Sequence, residues 1–191
     1  MKFIVVLFIS VLFTIFIGTL AKNLSKSNNN SLISPLVADT INNTGKQSLL
    51  GTQVFVNNYF NYKIKHPSDV NIKNMTNGDV SLQKDKSINI SITQQTLAGN
   101  NTINTEIEKN IDQKKNRLKD QFNLINNISP IAIDSSTAQT YTSEEKGVIY
   151  TYYYVPQNNN KYLIISNSSP NNGSRDYLIS EEIIYSLDLL P

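Results

Sequence analysis

Apolar positions follow three periods along this chain. Phe3 to Ile17 is almost continuously apolar, broken only by Ser10 and Thr14. From about Val54 the period falls to two: Phe60, Tyr62 and Ile64 alternate with Asn61, Lys63 and Lys65, which predicts a half-buried strand ending at His66-Pro67. Val80 and Leu82 predict a second short strand after the turn signal Asn77-Gly78-Asp79. Ile88, Ile90 and Ile92 predict a third, joined to it by a hairpin at Lys84-Asp85-Lys86. The period then changes to that of a helix. Ile107, Ile111, Leu118 and Phe122 fall on one face of a helix predicted over 106–122, and Thr105 with Glu108 has capping-box spacing. Charged residues crowd the other face and are read as a solvated surface.

A second β block follows. Asn126-Asn127 and Ser129-Pro130 punctuate its start, after which Ile131 and Ile133, then Ala138, Thr140 and Thr142, alternate. Glu144 to Gly147 reads as a turn, Val148 to Val155 as a strongly β-prone strand, and Lys161 to Ser166 as its return after Pro156 to Asn160. Arg175 to Leu187 predicts a shorter helix with Ile179, Ile183 and Leu187 on one face, and a terminal strand is expected near Leu189. Strand, hairpin, helix, meander and helix give an α+β domain with helices packed on a largely antiparallel sheet.

The ends of the apolar N-terminal run decide its meaning. Lys2 precedes it, and Thr19 and Ala21 follow in signal-peptidase spacing, as in a secretory signal. Phe3 to Leu20 would span about 27 Å as a helix at about 1.5 Å per residue, which also suits a membrane anchor. Residues 1–21 are therefore read as a signal peptide or an anchor, and the remainder as extracytoplasmic, either secreted or tethered through residues 3–20. Residues 22–53, with Asn28-Asn29-Asn30-Ser31 and Asn42-Asn43-Thr44-Gly45, read as a flexible Asn/Ser-rich linker, and 54–191 as the folded domain.

Composition narrows the chemistry. The chain's 191 residues carry 17 Lys+Arg against 15 Asp+Glu, one His, and no Cys or Trp. Zero Cys excludes thiol catalysis, disulfides, Cys-bound zinc and a Cys-linked lipid; one His excludes a multi-histidine metal site. A net charge of +2 gives no field that would predict nucleic-acid binding. The 27 Asn and 24 Ile reflect AT-rich codon usage, and the Asn residues lie among apolar ones as in a folded domain with Asn-rich loops.

Several segments together resemble the PsbP-like family. Tyr59-Phe60-Asn61-Tyr62-Lys63-Ile64-Lys65-His66-Pro67-Ser68-Asp69 is similar to the family's opening strand, which runs into Tyr-Pro-Ser-Asp/Asn-Trp. The amphipathic helix after a hairpin, the Asn160-Lys161-Tyr162 turn and the ending Ile183-Ile184-Tyr185-Ser186-Leu187-Asp188-Leu189 also match in order and kind. The chain departs from the pattern at His66, Val70 and Leu187, which stand where Tyr, Trp and Phe are usual. The resemblance implies an α/β/α sandwich and a binding or assembly role rather than catalysis.

Candidate sites are few. His66, beside Ser68 and Asp69, is explained by a Pro-containing turn, and the carboxylates Asp134, Glu144 and Glu145 are dispersed, so no catalytic residue, metal site or cofactor is expected. Tyr150, Tyr152 and Tyr154 share one strand face, with Tyr153 on the other; this suits either cover between sheet and helix or a surface for sugars, bases or a partner. With Lys161, Arg175 and Asp176 on the neighbouring loops, they form the candidate partner surface. Nine Asn-x-Ser/Thr sequons occur, of which Asn74, Asn100, Asn167 and Asn172 are the candidate glycosylation sites. The function expected is a non-catalytic binding or assembly module at the cell surface, engaging an unknown protein or envelope component. The alternatives are a structural or adhesive glycosylated envelope protein and, behind it, a carboxylate- or Ser-dependent hydrolase.

Overall fold

The computed structural model describes residues 53–170 and 174–191. The signal peptide or anchor expected over residues 1–21, and all but the last residue of the linker expected over 22–53, lie outside the described residues, as does Asn172. Among the described residues, ten strands and two α-helices follow one another as β1 (Gln53–Asn57), β2 (Tyr62–His66), β3 (Asn71–Asn74), β4 (Val80–Lys84), β5 (Ile88–Thr96), α1 (Ile103–Leu118), β6 (Phe122–Ile133), β7 (Ser136–Glu145), β8 (Val148–Pro156), β9 (Lys161–Asn167), α2 (Arg175–Tyr185) and β10 (Asp188–Leu189). Seven strands form one antiparallel sheet in the order β3-β4-β5-β9-β8-β7-β6, and β1-β2-β10 form a small second sheet. This is the α+β architecture expected from the pattern.

The two-residue period places different chemistry on the two faces of the large sheet. One face presents Leu82, Ile90, Ile92, Val155, Leu163 and Ile165 to Ile179, Ile183 and Ile184 of α2 and to Tyr62 and Ile64 of the small sheet. The opposite face presents Tyr141, Tyr154 and Tyr162 to Ile107 and Ile111 of α1. Two of the family departures keep their core role with smaller side chains: Val70 and Leu187 are 4% and 2% exposed. His66 is also buried, and its Nδ1 lies 2.9 Å from the Pro67 carbonyl, so a proton there is donated to backbone.

Four local details differ from the sequence pattern. The first strand already includes Gln53, which pairs with His66 in β1. Helix α1 starts at Ile103 rather than 106: Thr102 Oγ1 accepts from the Thr105 amide at 3.2 Å, and Glu108 is exposed and takes no part in capping. Starting there lets half-buried Ile103 join the tyrosine face. The helix also ends at Leu118, and Phe122 opens β6 instead of closing the helix. Finally, Asn126-Asn127 and Ser129-Pro130 do not interrupt β6. Asn126 to Ser129 span its register shifts against β7, and Pro130 pairs with Gln139 on an edge strand, where proline is tolerated.

A buried asparagine sets the entry to the domain. Asn57 Oδ1 accepts from the Tyr59 and Phe60 amides, while its Nδ2 donates to the Gly78 carbonyl at 2.9 Å. Gly78 has φ +89°, and a Cβ there would sit 2.9 Å from both the Tyr59 and Phe60 rings, so only glycine fits.

Candidate functional site

The tyrosine face is a continuous run of rings across three strands. Tyr150 stacks on Tyr152 with centroids 5.8 Å apart, and Tyr152 on Tyr141 at 4.9 Å. Tyr141 meets Tyr154 at 6.2 Å, and Tyr154 stacks on Tyr162 at 5.9 Å. Alternation along β8 supplies three of the rings, and the register Tyr141↔Tyr152 brings in the ring from β7. Helix α1 covers the inner part of the run, where Tyr141, Tyr154 and Tyr162 are buried. Tyr162 donates its hydroxyl to Gln95 Oε1 at 3.1 Å.

One ion pair fastens the helix to the outer part. Lys114 Nζ lies 2.7 Å from Glu145 Oε1 and 3.5 Å from the Tyr152 ring centroid. Glu145 Oε1 also accepts from the Tyr152 hydroxyl at 2.9 Å and from Ser143 Oγ at 3.0 Å. Both charged side chains are nearly enclosed, at 12% and 11% exposure. Burial acts against both charges and pulls Lys114 below its usual pKa. For Glu145 the penalty of burial is overcome by the Lys114 ammonium and the two hydroxyl donors, which hold the carboxyl below its usual range. The carboxylate, with three donors, is the firmly fixed member of the pair.

Beyond this pair the face opens. A cleft of about 650 Å³ is lined by Arg117, Leu118, Gln121, Glu145, Lys146, Val148 and Tyr150. A neighbouring hollow of about 480 Å³ shares Gln121 and Lys146 and adds Asp120, Asn123, Glu144 and Gly147. The backbone ties its walls together, since the Lys146 amide donates to the Gln121 carbonyl at 2.8 Å. To reach that position the chain turns at Lys119 with φ +49° and ψ −120°, a strained conformation for a residue with a side chain.

A second polar cluster sits on the other face. The Tyr153 hydroxyl donates to Glu181, 3.0 Å from each carboxylate oxygen, and Asn167 Nδ2 donates to Glu181 Oε1 at 3.0 Å and to Ser180 Oγ at 3.1 Å. Burial raises the Glu181 pKa against the lowering effect of these donors. Tyr177 and Tyr185, on the same helix, are pushed up to about 12 by burial and by the nearby Glu181 charge. Ser180 is fully buried and gives its own proton to the Tyr177 carbonyl at 2.7 Å, so it is committed to structure.

The structure separates the candidates named from sequence. Tyr150 and Tyr152 are half-buried at the open end of the run. Tyr154, at 1% exposure, is core and offers a partner no surface. Lys161 is exposed in the β8–β9 turn, and Arg175 is exposed at the start of α2. Asp176 is held by Lys84 at 2.8 Å, which burdens neither the tyrosines nor the cleft, and the Lys84 ammonium keeps its carboxyl below the usual range. Asn74 and Asn100 are exposed, whereas Asn167 is 3% exposed with its amide nitrogen already donating, so the folded domain has no room for a glycan there. Sequence reasoning missed Lys114 and Glu181, whose partners lie on other elements. Among the described residues, no group of three His, Asp or Glu side chains is placed to hold a metal ion, and no helix is long and apolar enough to cross a membrane.

No protein-family model matches the chain, and no curated protein matches it by sequence. Among solved structures it is similar to cyanobacterial PsbP (CyanoP) from Synechocystis sp. PCC 6803, with a TM-score of 0.55 at 12% identity, over 76% of this chain and 98% of that one. A Bacteroides thetaiotaomicron protein gives a TM-score of 0.45 at 18% identity, over 73% of this chain and 48% of that one. The domain has a PsbP-like fold.

Proposed function

We propose that this chain is an extracytoplasmic binding or assembly module with no chemistry of its own, secreted or tethered through residues 3–20, that engages a protein or envelope component at the open end of its tyrosine face. The observation that carries this reading is the termination of the ring run at half-buried Tyr150, beside Val148, which shares its strand face and is 42% exposed. Aromatic residues with an apolar body and a polar tip suit such contact surfaces. The PsbP-like fold, whose family resemblance implies binding or assembly, supports this role by analogy alone.

The test is a photo-crosslinking amino acid placed at Val148 and, separately, at exposed Asn74, in the native host. A discrete adduct from position 148 with none from position 74 is the expected result; equal labelling from both, or none from either, would overturn the reading. Intact mass and membrane fractionation of the same samples separate a mature form starting at Lys22 from a tethered one keeping Met1. The exposure of Asn74 and Asn100 favours one second reading, a glycosylated envelope protein, and added hexose mass at those residues is its signature.

A further inference from the structure

We infer that the cleft at the end of the tyrosine run binds an acidic sugar, a ring bearing a carboxylate; this rests on the binding-module reading and gives it a ligand class. Three features of the cleft converge on that chemistry. Tyr150 has Tyr152 against one face of its ring, and it lines the cleft at the end of the stack, where the C–H face of a sugar ring can lie against it. Arg117 and Lys146 line the same cleft, both exposed and with no ion-pair partner among the described residues. Gln121 adds an amide that can both donate to and accept from hydroxyls.

The one carboxylate in the lining does not cancel these cations, because Glu145 is already neutralised by Lys114. The adjoining hollow carries Asp120 and Glu144 and repels an anion. Charge therefore fixes the orientation: the carboxylate faces Arg117 and Lys146, and the neutral hydroxyls face away. The volume of about 650 Å³ is in the range of small-ligand sites, about 300–1,000 Å³. A bidentate guanidinium–carboxylate contact supplies specificity that a lysine alone would not. The Lys146–Gln121 backbone bond holds the two walls at a fixed separation before any ligand arrives.

Calorimetric titration and amide-shift mapping of the full-length protein with oligomers of galacturonic acid test this, with neutral galactose oligomers as control. Saturable binding of the uronate oligomer alone is expected, with shifts centred on residues 117–121 and 146–150. Arg117→Gln and Tyr150→Leu should each weaken it about tenfold, the loss of one charge-assisted bond or one stacking face. Lys115→Gln removes the same charge from exposed helix surface outside the cleft and should leave affinity within about twofold. Equal weakening by Lys115→Gln, equal binding of the neutral sugar, or no saturable binding at millimolar uronate would overturn the assignment. Crosslinking from position 148 that survives such a failure would leave the binding-module reading standing; loss of both would end both.

Discussion

The two faces of the seven-stranded sheet are built on different principles. Toward α2 and the small sheet the contacts are mainly aliphatic, and nearly every residue in them is inaccessible to water. Toward α1 the contacts are phenol rings, and only Ile107 and Ile111 of the helix are fully enclosed. The first face is sealed by two layers of cover. The second is roofed by one helix that stops at Leu118, and the ring run continues to Tyr150 at the cleft. Apolar burial is non-directional and scales with area, so the aliphatic face is suited to holding the domain together. A phenol ring carries its hydroxyl to the boundary at little cost, so the tyrosine face can be half open without losing order.

The sharpest way to break the contrast is to empty one residue from each face. Ile165→Ala removes a fully buried aliphatic side chain and should cost about 3 kcal/mol in urea unfolding, against about 2 kcal/mol for Ile111→Ala on the inner face of α1. Equal losses would show that both faces contribute alike. Next, Glu145→Ala leaves the Lys114 ammonium enclosed without a partner and should cost about 2 kcal/mol at neutral pH, while Lys114→Met with Glu145→Leu recovers most of it. Because the Glu145 pKa is depressed by folding, its contribution is complete above the ordinary Glu value of 4.5 and fades as pH falls through the lower folded value. Wild type and Glu145→Ala should therefore converge in acid.

Glu181, on the aliphatic face, behaves in the opposite sense. Its pKa is raised by folding, so the folded state holds a proton that the unfolded state has lost, and stability falls as pH rises above 4.5 through the folded value. Glu181→Gln keeps acceptors for Tyr153 and Asn167, should gain about 1 kcal/mol or less at neutral pH, and should flatten that slope. A steeper slope in the variant would contradict this. The smallest effect is expected at the open end: Tyr150→Leu should change stability by less than about 0.5 kcal/mol in the same unfolding assay while abolishing most uronate affinity.

The division between faces was partly legible in the residue order. Odd and even positions of Val148 to Val155 separate Tyr150, Tyr152 and Tyr154 from Tyr153, because a strand's period is two regardless of its neighbours. Which of those rings stays accessible was not legible, since it depends on where α1 ends above them. The capping signal in the residue order, Thr105 with Glu108, placed the helix start too late; Thr102 caps it and Ile103 packs on the tyrosine face instead. Asn126 to Pro130 has turn composition, yet at a sheet edge the same residues are accommodated as a bulged strand. The Lys114–Glu145 contact joins residues 31 positions apart, and the Glu181–Asn167 contact joins a helix to a strand; neither spacing follows a local rule.

The ring run also gives the domain an optical signature. With no Trp in the chain, the ten tyrosines dominate its near-ultraviolet absorption and emission. Five of them stand in a row at centroid spacings between 4.9 and 6.2 Å, close enough for their transitions to couple and for excitation to migrate along the row. Tyr152 hands its proton toward a carboxylate, an arrangement that quenches phenol emission, so the row drains into a dark site. Near-ultraviolet dichroism and tyrosine emission therefore read the integrity of this face without a label. A bound molecule at Tyr150 would perturb the last ring in that chain of transfer.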